Sequence, residues 1–247
     1  MHFGGPLSGT ANKKTGASPC HKRRSGVKQI TLEHVTKTYF IDSESINAVH
    51  NVSMEIDKGE FLSITGHSGS GKTTLLSIIG GIVKPSSGTV LFEGNDVSSF
   101  DGDRLSEYRC EKIGFIFQFA SLFQNLTAKE NVLLPVVFRT RRNTLDKDEK
   151  RAVELLNLVG LGDKLNAYPS QLSGGQQRRV AIARAFINDP QLILADEPTG
   201  DLDEETEAEM MRYFTKMNEE REITFIMVTH NTELARQSKR QLRMPVS

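Results

Sequence analysis

This sequence predicts an α/β fold built on a mostly parallel core sheet. Three features point there. "LILAD" (192–196) and "ITFIMVTH" (223–230) are near-continuous apolar runs, the pattern of strands covered on both faces. A Gly-rich loop at 66–71 lies between a strand-like segment and a helix-like one. Between this loop and the first apolar run lies a long region in which apolar residues recur with the 3.6-residue helical period.

The elements follow in chain order. "VKQITLEHVTKTYF" from Val27 alternates apolar and polar residues as a half-buried strand does, and "NAVHNVSMEI" repeats the pattern. "KGEFLSITG" is a third strand after a turn at Lys58-Gly59. The pattern then changes to a helix over "GKTTLLSIIGGIV". "SGTVLFEG" and "KIGFIFQ" read as strands, and Leu126 to about Ile187 as mostly helix, most clearly in "DKDEKRAVELLNLVG". With no internal repeat, the 247 residues hold one such unit.

Charge is unevenly spread. Of 31 Lys and Arg, five (Lys13, Lys14, Lys22, Arg23, Arg24) lie in residues 1–26 with no acidic residue, leaving 26 basic against 31 acidic, a net of −5. A dedicated nucleic-acid binder would carry a basic footprint on its folded part, so no nucleic-acid partner is expected. Residues 1–26, rich in Gly, Ser, Thr and Lys, read as a disordered leader. Cys20 and Cys110 form neither a disulfide framework nor a metal-ligand spacing. No apolar run approaches the roughly 20 residues that span a bilayer, and the N-terminus lacks a secretory apolar stretch. The expectation is a cytosolic chain that reaches a membrane only through a partner.

Chemistry concentrates in three motifs. "ITGHSGSGKTT" fits the phosphate-loop pattern with Gly66, Gly71, Lys72 and Thr73. Backbone amides of Gly66, His67, Ser68, Gly69, Ser70 and Gly71 can curl around phosphate oxygens at a helix N-terminus. Lys72 supplies a point charge, Thr73 a hydroxyl for Mg²⁺, and Thr74 completes the candidate ATP cradle. In "LILADEP", Asp196 ends a strand and Glu197 follows, so that strand alternation would point them apart. Asp196 would face Mg²⁺, and Glu197 would hold the attacking water as general base. Third, "LSGGQQRRVAIARA" sets Ser173, Gly174, Gly175 and Gln176 at the start of a basic helix, a second anion site about one hundred residues from Lys72. Spacing alone leaves open whether the two sites meet in one chain.

From about residue 28 to 237 the chain resembles the ATP-binding subunit of ABC transporters. The parts stand in the family's order: Tyr39, "GHSGSGKTT", Gln118 in "GFIFQ", "LSGGQQ", "LILADEP", "TGDLD" and His230 in "VTH". The resemblance implies an ATPase domain over 27–247, with an antiparallel β subdomain and an α-helical subdomain at about 119–187 inserted in the core. It implies a head-to-tail homodimer in which the Ser173 turn of each copy caps ATP on the other's phosphate loop. Tyr39 would stack on adenine, Gln118 would touch Mg²⁺ and the attacking water, and His230 would contact the γ-phosphate. Asp203 would lie in a loop crossing the dimer interface.

"LFQNLTAKENVLLPVVF" with "ADEPTGDLD" is similar to the lipoprotein-release and macrolide-export branch, whose ATPases serve a separate integral membrane permease. That places the chain at the inner face of the cell membrane. The alternative is a soluble ABC ATPase acting without a permease. Two departures stand out: the basic leader, and an ending in "ELARQSKRQLRMPVS" where relatives usually add another strand, which leaves the final sheet edge open.

Overall fold

The computed structural model describes residues 27–41, 44–139, 145–200 and 202–244; the expected leader at 1–26 and Asp201 of "TGDLD" lie outside the described residues. Two sheets organise the described residues. Strands β1 (Lys28–Ile41), β2 (Glu44–Asp57), β4 (Ser87–Phe92) and β5 (Asn95–Asp96) form an antiparallel sheet in the order β2-β1-β4-β5. Strands β3 (Phe61–Thr65), β6 (Ile113–Ile116), β7 (Leu192–Asp196), β8 (Thr224–Val228) and β9 (Arg240–Arg243) form a second sheet, β6-β7-β8-β3-β9, with every pairing parallel. β7 and β8 are buried at every position, as their unbroken apolar sequences require.

Helix α1 (Lys72–Ile79) is shorter than the apolar run predicts. It ends at Gly80, where a side-chain Cβ would lie 2.5 Å from the Phe115 ring, so the glycine lets the helix end settle on β6. α2 (Gly102–Glu107) and the wider turn at 108–112 lead into β6. Between β6 and β7 come α3 (Ala128–Leu133), α4 (Leu145–Leu158) and α5 (Gly174–Ala185). α6 (Glu204–Arg221) and α7 (Thr232–Arg236) flank β8.

Two apolar cores result among the described residues. One joins the helical region to α6 and one face of the parallel sheet, and includes the stacked Phe61 and Phe225 rings, 5.0 Å between centroids. Such a pair adds about 0.5–1.5 kcal/mol beyond its area. The other lies between the two sheets around α1. Gly114 on β6 matters to the first: a Cβ there would stand 2.3 Å from the Ala185 carbonyl, so only glycine lets the end of α5 lie this close to the sheet.

The open question at the final sheet edge is resolved by β9, which pairs in parallel with β3 from Leu62↔Arg240 to Thr65↔Arg243. The "RQLR" run was not legible as a strand because its residues are half-buried or exposed. None of the helices among the described residues is long and apolar enough to cross a membrane.

Candidate active site

The C-terminal ends of β3, β7 and β8 open onto one cleft of about 460 Å³, the place where parallel α/β sheets bind ligands. Among its lining residues are Gly66, Ser68, Lys72, Thr73, Gln118 and His230. Gly71 precedes α1 with φ 82°, a left-handed conformation natural to glycine. A Cβ at Gly71 would lie 1.7 Å from the Ala48 carbonyl, so the loop is pressed against β2. Lys72 is buried, its ammonium donating to the carbonyls of Gly66 (3.0 Å) and His67 (2.7 Å) and the Ser70 hydroxyl (3.3 Å). The charge is thereby held inside the loop rather than waving in solvent.

The Thr73 hydroxyl donates to Asp196 Oδ2 at 2.6 Å, joining α1 to the end of β7. Burial pushes the Asp196 carboxyl above its ordinary range; the Thr73 hydrogen bond opposes this and the neighbouring Glu197 charge adds to it. Glu197 points elsewhere, but for a different reason than strand alternation. Its backbone leaves β7 in the left-handed region at φ 46°, a conformation that costs a non-glycine residue of order 1–2 kcal/mol. There its carboxylate accepts from the Thr229 hydroxyl at 3.1 Å, and from the His230 amide and His230 Nδ1 at 2.8 Å each.

No group of three or more His, Cys, Asp or Glu suited to a metal ion occurs among the described residues. An ion in this cleft would take its protein oxygens from Thr73, Asp196 and Gln118, and the rest from a bound phosphate chain and water. Such an all-oxygen, few-carboxylate donor set suits Mg²⁺.

The structure does not bring every candidate together. Tyr39 lies on β1 outside the cleft lining, 39% exposed, with the Lys37 ammonium 5.2 Å from its ring centroid. Ser173 caps α5, its hydroxyl accepting from the Gln176 amide at 3.2 Å while Gln176 Oε1 accepts from the Ser173 amide at 2.9 Å. That turn is not part of the cleft lining. Asp203 caps α6, accepting from the Thr206 amide at 3.0 Å, which holds its carboxyl below the ordinary range. Two participants escaped sequence reasoning: Thr229, which holds Glu197, and Arg178, which lines the cleft from α5. Arg178 had no local signal, since Gln176, Gln177 and Arg179 flank it and only the fold shows that it is the buried one.

Comparison with known proteins gives this arrangement a context. The family model for the ABC transporter matches residues 49–200. An ABC transporter ATP-binding protein of Methanocaldococcus jannaschii is 47% identical over 213 residues, 85% of this chain and 91% of that protein. A macrolide export ATP-binding/permease protein, MacB, of Syntrophobacter fumaroxidans is 42% identical over 215 residues, 87% of this chain; the chain spans only 30% of its length. Among solved structures, the ATP-binding cassette MJ0796, described as dimeric in a post-hydrolysis state with ADP and Pi, superposes with a TM-score of 0.84 at 45% identity, covering 87% of this chain and 94% of that one.

Proposed function

The chain belongs to the ABC transporter family, and from that premise we propose that it is the ATP-binding, ATP-hydrolysing subunit of a transporter whose membrane permease is a separate protein. The observation that carries this is the meeting of Lys72, Thr73, Gln118, Asp196, Glu197 and His230 around one cleft at the end of a parallel sheet. Lys72 and the loop amides hold the phosphates, with Ser68, Gly69, Ser70 and Thr74 completing the cradle. Thr73, Asp196 and Gln118 would hold Mg²⁺, which neutralises phosphate charge when bound. Glu197 takes the proton of the attacking water, oriented by Thr229 and His230. Hydrolysis of this kind needs little beyond positioning and charge stabilisation.

The Ser173–Gln176 turn presents amides and a helix N-terminus outside the chain's own cleft, which supports its use on a nucleotide held by a second copy. Two copies closing head to tail would each complete the other's site, with ATP between them, Tyr39 against adenine and Asp203 at the interface. We assign the permease to the lipoprotein-release or macrolide- and peptide-export type, on the likeness to MacB and to MJ0796. The chain would then lie peripherally at the inner face of the membrane.

The test is purification of tagged Glu197→Gln chain in mild detergent with Mg-ATP. Stoichiometric recovery of a permease with a large extracytoplasmic domain supports the transporter assignment. Recovery of homodimer alone, with or without detergent, favours an ATPase acting without a permease.

A further inference from the structure

Helix α5 carries three arginines: Arg179 donates to the Val159 carbonyl at 3.0 Å, whereas Arg178 and Arg184 turn to another stretch of chain. Arg178 is only 2% exposed. A guanidinium is rarely taken out of water unless its donors are matched with care. Arg178 and Arg184 spend their forks on one segment. Arg178 donates to the carbonyls of Phe117, at 2.5 Å, and Gln118. Arg184 donates to those of Ala120 (2.9 Å) and Ser121 (3.0 Å).

That segment directly follows β6, belongs to no helix or strand, and includes Ser121 at φ 47°. Its carbonyls are thus held by α5 at four of five consecutive residues. The same helix begins at the Ser173 turn, and Arg178 lines the cleft beside Gln118 and Asp196. Helix, turn and Gln118 main chain are tied into one body.

We propose that Arg178 and Arg184 are positioning residues that fasten the main chain of Gln118 to α5, so that the Gln118 side chain enters the cleft only where the helix bearing the Ser173 turn places it. This rests on the hydrolytic role given above to Gln118. Arg178 acts through Gln118 and does not touch the reacting atoms. A lysine at either position keeps the charge but, as a single point, cannot bridge two carbonyls in the plane of a fork.

The experiment uses the full chain with Arg178→Lys and Arg184→Lys, each alone and combined with Gln118→Ala. Amide exchange over residues 117–121 is expected to quicken by roughly tenfold, the local opening that losing such a hydrogen bond permits, with α4 unchanged. Turnover of Mg-ATP should fall by about tenfold in kcat with KM within about twofold, and Arg178→Lys should lower kcat no further once Gln118 is alanine. Unaltered exchange at 117–121 overturns the clamp, whether or not the wild type hydrolyses ATP. Multiplying losses in the double variant overturn the link to Gln118, because a merely structural defect would add to any other. A wild type without turnover defeats the hydrolase reading instead, and the exchange measurement still decides the clamp. Should Arg178→Lys not fold, the half-exposed Arg184→Lys carries the same two comparisons.

Discussion

Glu197 accepts two hydrogen bonds from one residue, His230: the backbone amide and ring Nδ1 both reach Oε1 at 2.8 Å. A carboxylate only accepts, so in this contact the Nδ1 atom carries the proton. The pair is 33 residues apart in sequence and meets because β7 and β8 are neighbours in the parallel sheet. His230 is largely exposed, whereas the Glu197 side chain is 16% exposed. The histidine therefore acts as the outer wall of a carboxylate held in place from within by Thr229.

Glu197→Gln keeps the shape of this contact but removes the base. Mg-ATP turnover should fall by about 10²–10⁴, the usual value of a general base, while ATP affinity stays within a few-fold. Size-exclusion chromatography with ATP should then reveal a lasting dimer. His230→Ala should lower turnover less, because Thr229 still orients the carboxylate. Wild-type turnover in Glu197→Gln would remove Glu197 from the mechanism.

Asp196 makes a prediction with a definite sign. Burial holds its folded-state pKa above the ordinary 3.8, so the folded chain binds this proton more tightly than the unfolded chain does. Its contribution to stability is fully present below 3.8 and declines as pH rises through the raised value. At neutral pH the ionised carboxyl is a liability in the nucleotide-free chain. Asp196→Asn, which can still accept from Thr73, should raise the thermal midpoint at pH 7, and the gain should vanish in acid. The same variant should lose at least about tenfold in Mg-dependent turnover, since a neutral amide is a poor ligand for a hard cation. A midpoint that falls at pH 7 would contradict the burial argument.

How far the sequence reaches depends on whether a feature is local. "LILAD" and "ITFIMV" are legible because both faces of each strand are buried, and the phosphate loop because its strand, glycines and lysine are contiguous. α6 is not, since Met210, Met211, Phe214 and Met217 are interspersed with charged residues and its first turn is acidic. Those acids favour the helix N-terminus, an effect that apolar periodicity does not register. β9 escapes for want of burial. The bonds between Thr229 and Glu197, and between Arg178 and the Gln118 carbonyl, span 32 and 60 residues. Only the folded sheet brings such residues together, and no spacing rule anticipates them.

Asn131 is the polar keystone of the helical region. It is fully buried on α3; its Oδ1 accepts from the Phe123 amide at 2.8 Å, and its Nδ2 donates to the carbonyls of Phe123, Leu126 and Thr127 at 3.0–3.1 Å. Asn131→Asp retains the acceptor but withdraws every donor and adds a buried charge beside three carbonyls. A loss of about 2–4 kcal/mol is expected, the range for unsatisfied buried groups with a charged member. Urea unfolding measures it. A loss under about 0.5 kcal/mol would mean that water replaces the amide without cost.

Gly174 separates what folding needs from what a second copy needs. It opens α5 after the Ser173 cap, and a Cβ built there meets nothing within 4 Å. Within one chain, then, alanine should be harmless, or stabilising by about 0.4–1 kcal/mol through the unfolded state. A nucleotide pressed against the amides of this turn would meet the new methyl group, because backbone can approach a phosphate closely only where no side chain intervenes. Gly174→Ala should therefore keep or raise the thermal midpoint and keep nucleotide binding in the chain's own cleft. Combined with Glu197→Gln it should abolish the ATP-dependent dimer, and alone it should cut turnover by at least about tenfold, the effect of losing roughly one well-made contact. If the dimer persists and turnover is unchanged, the Ser173 turn does not face the ligand, and the second anion site serves only to start a helix.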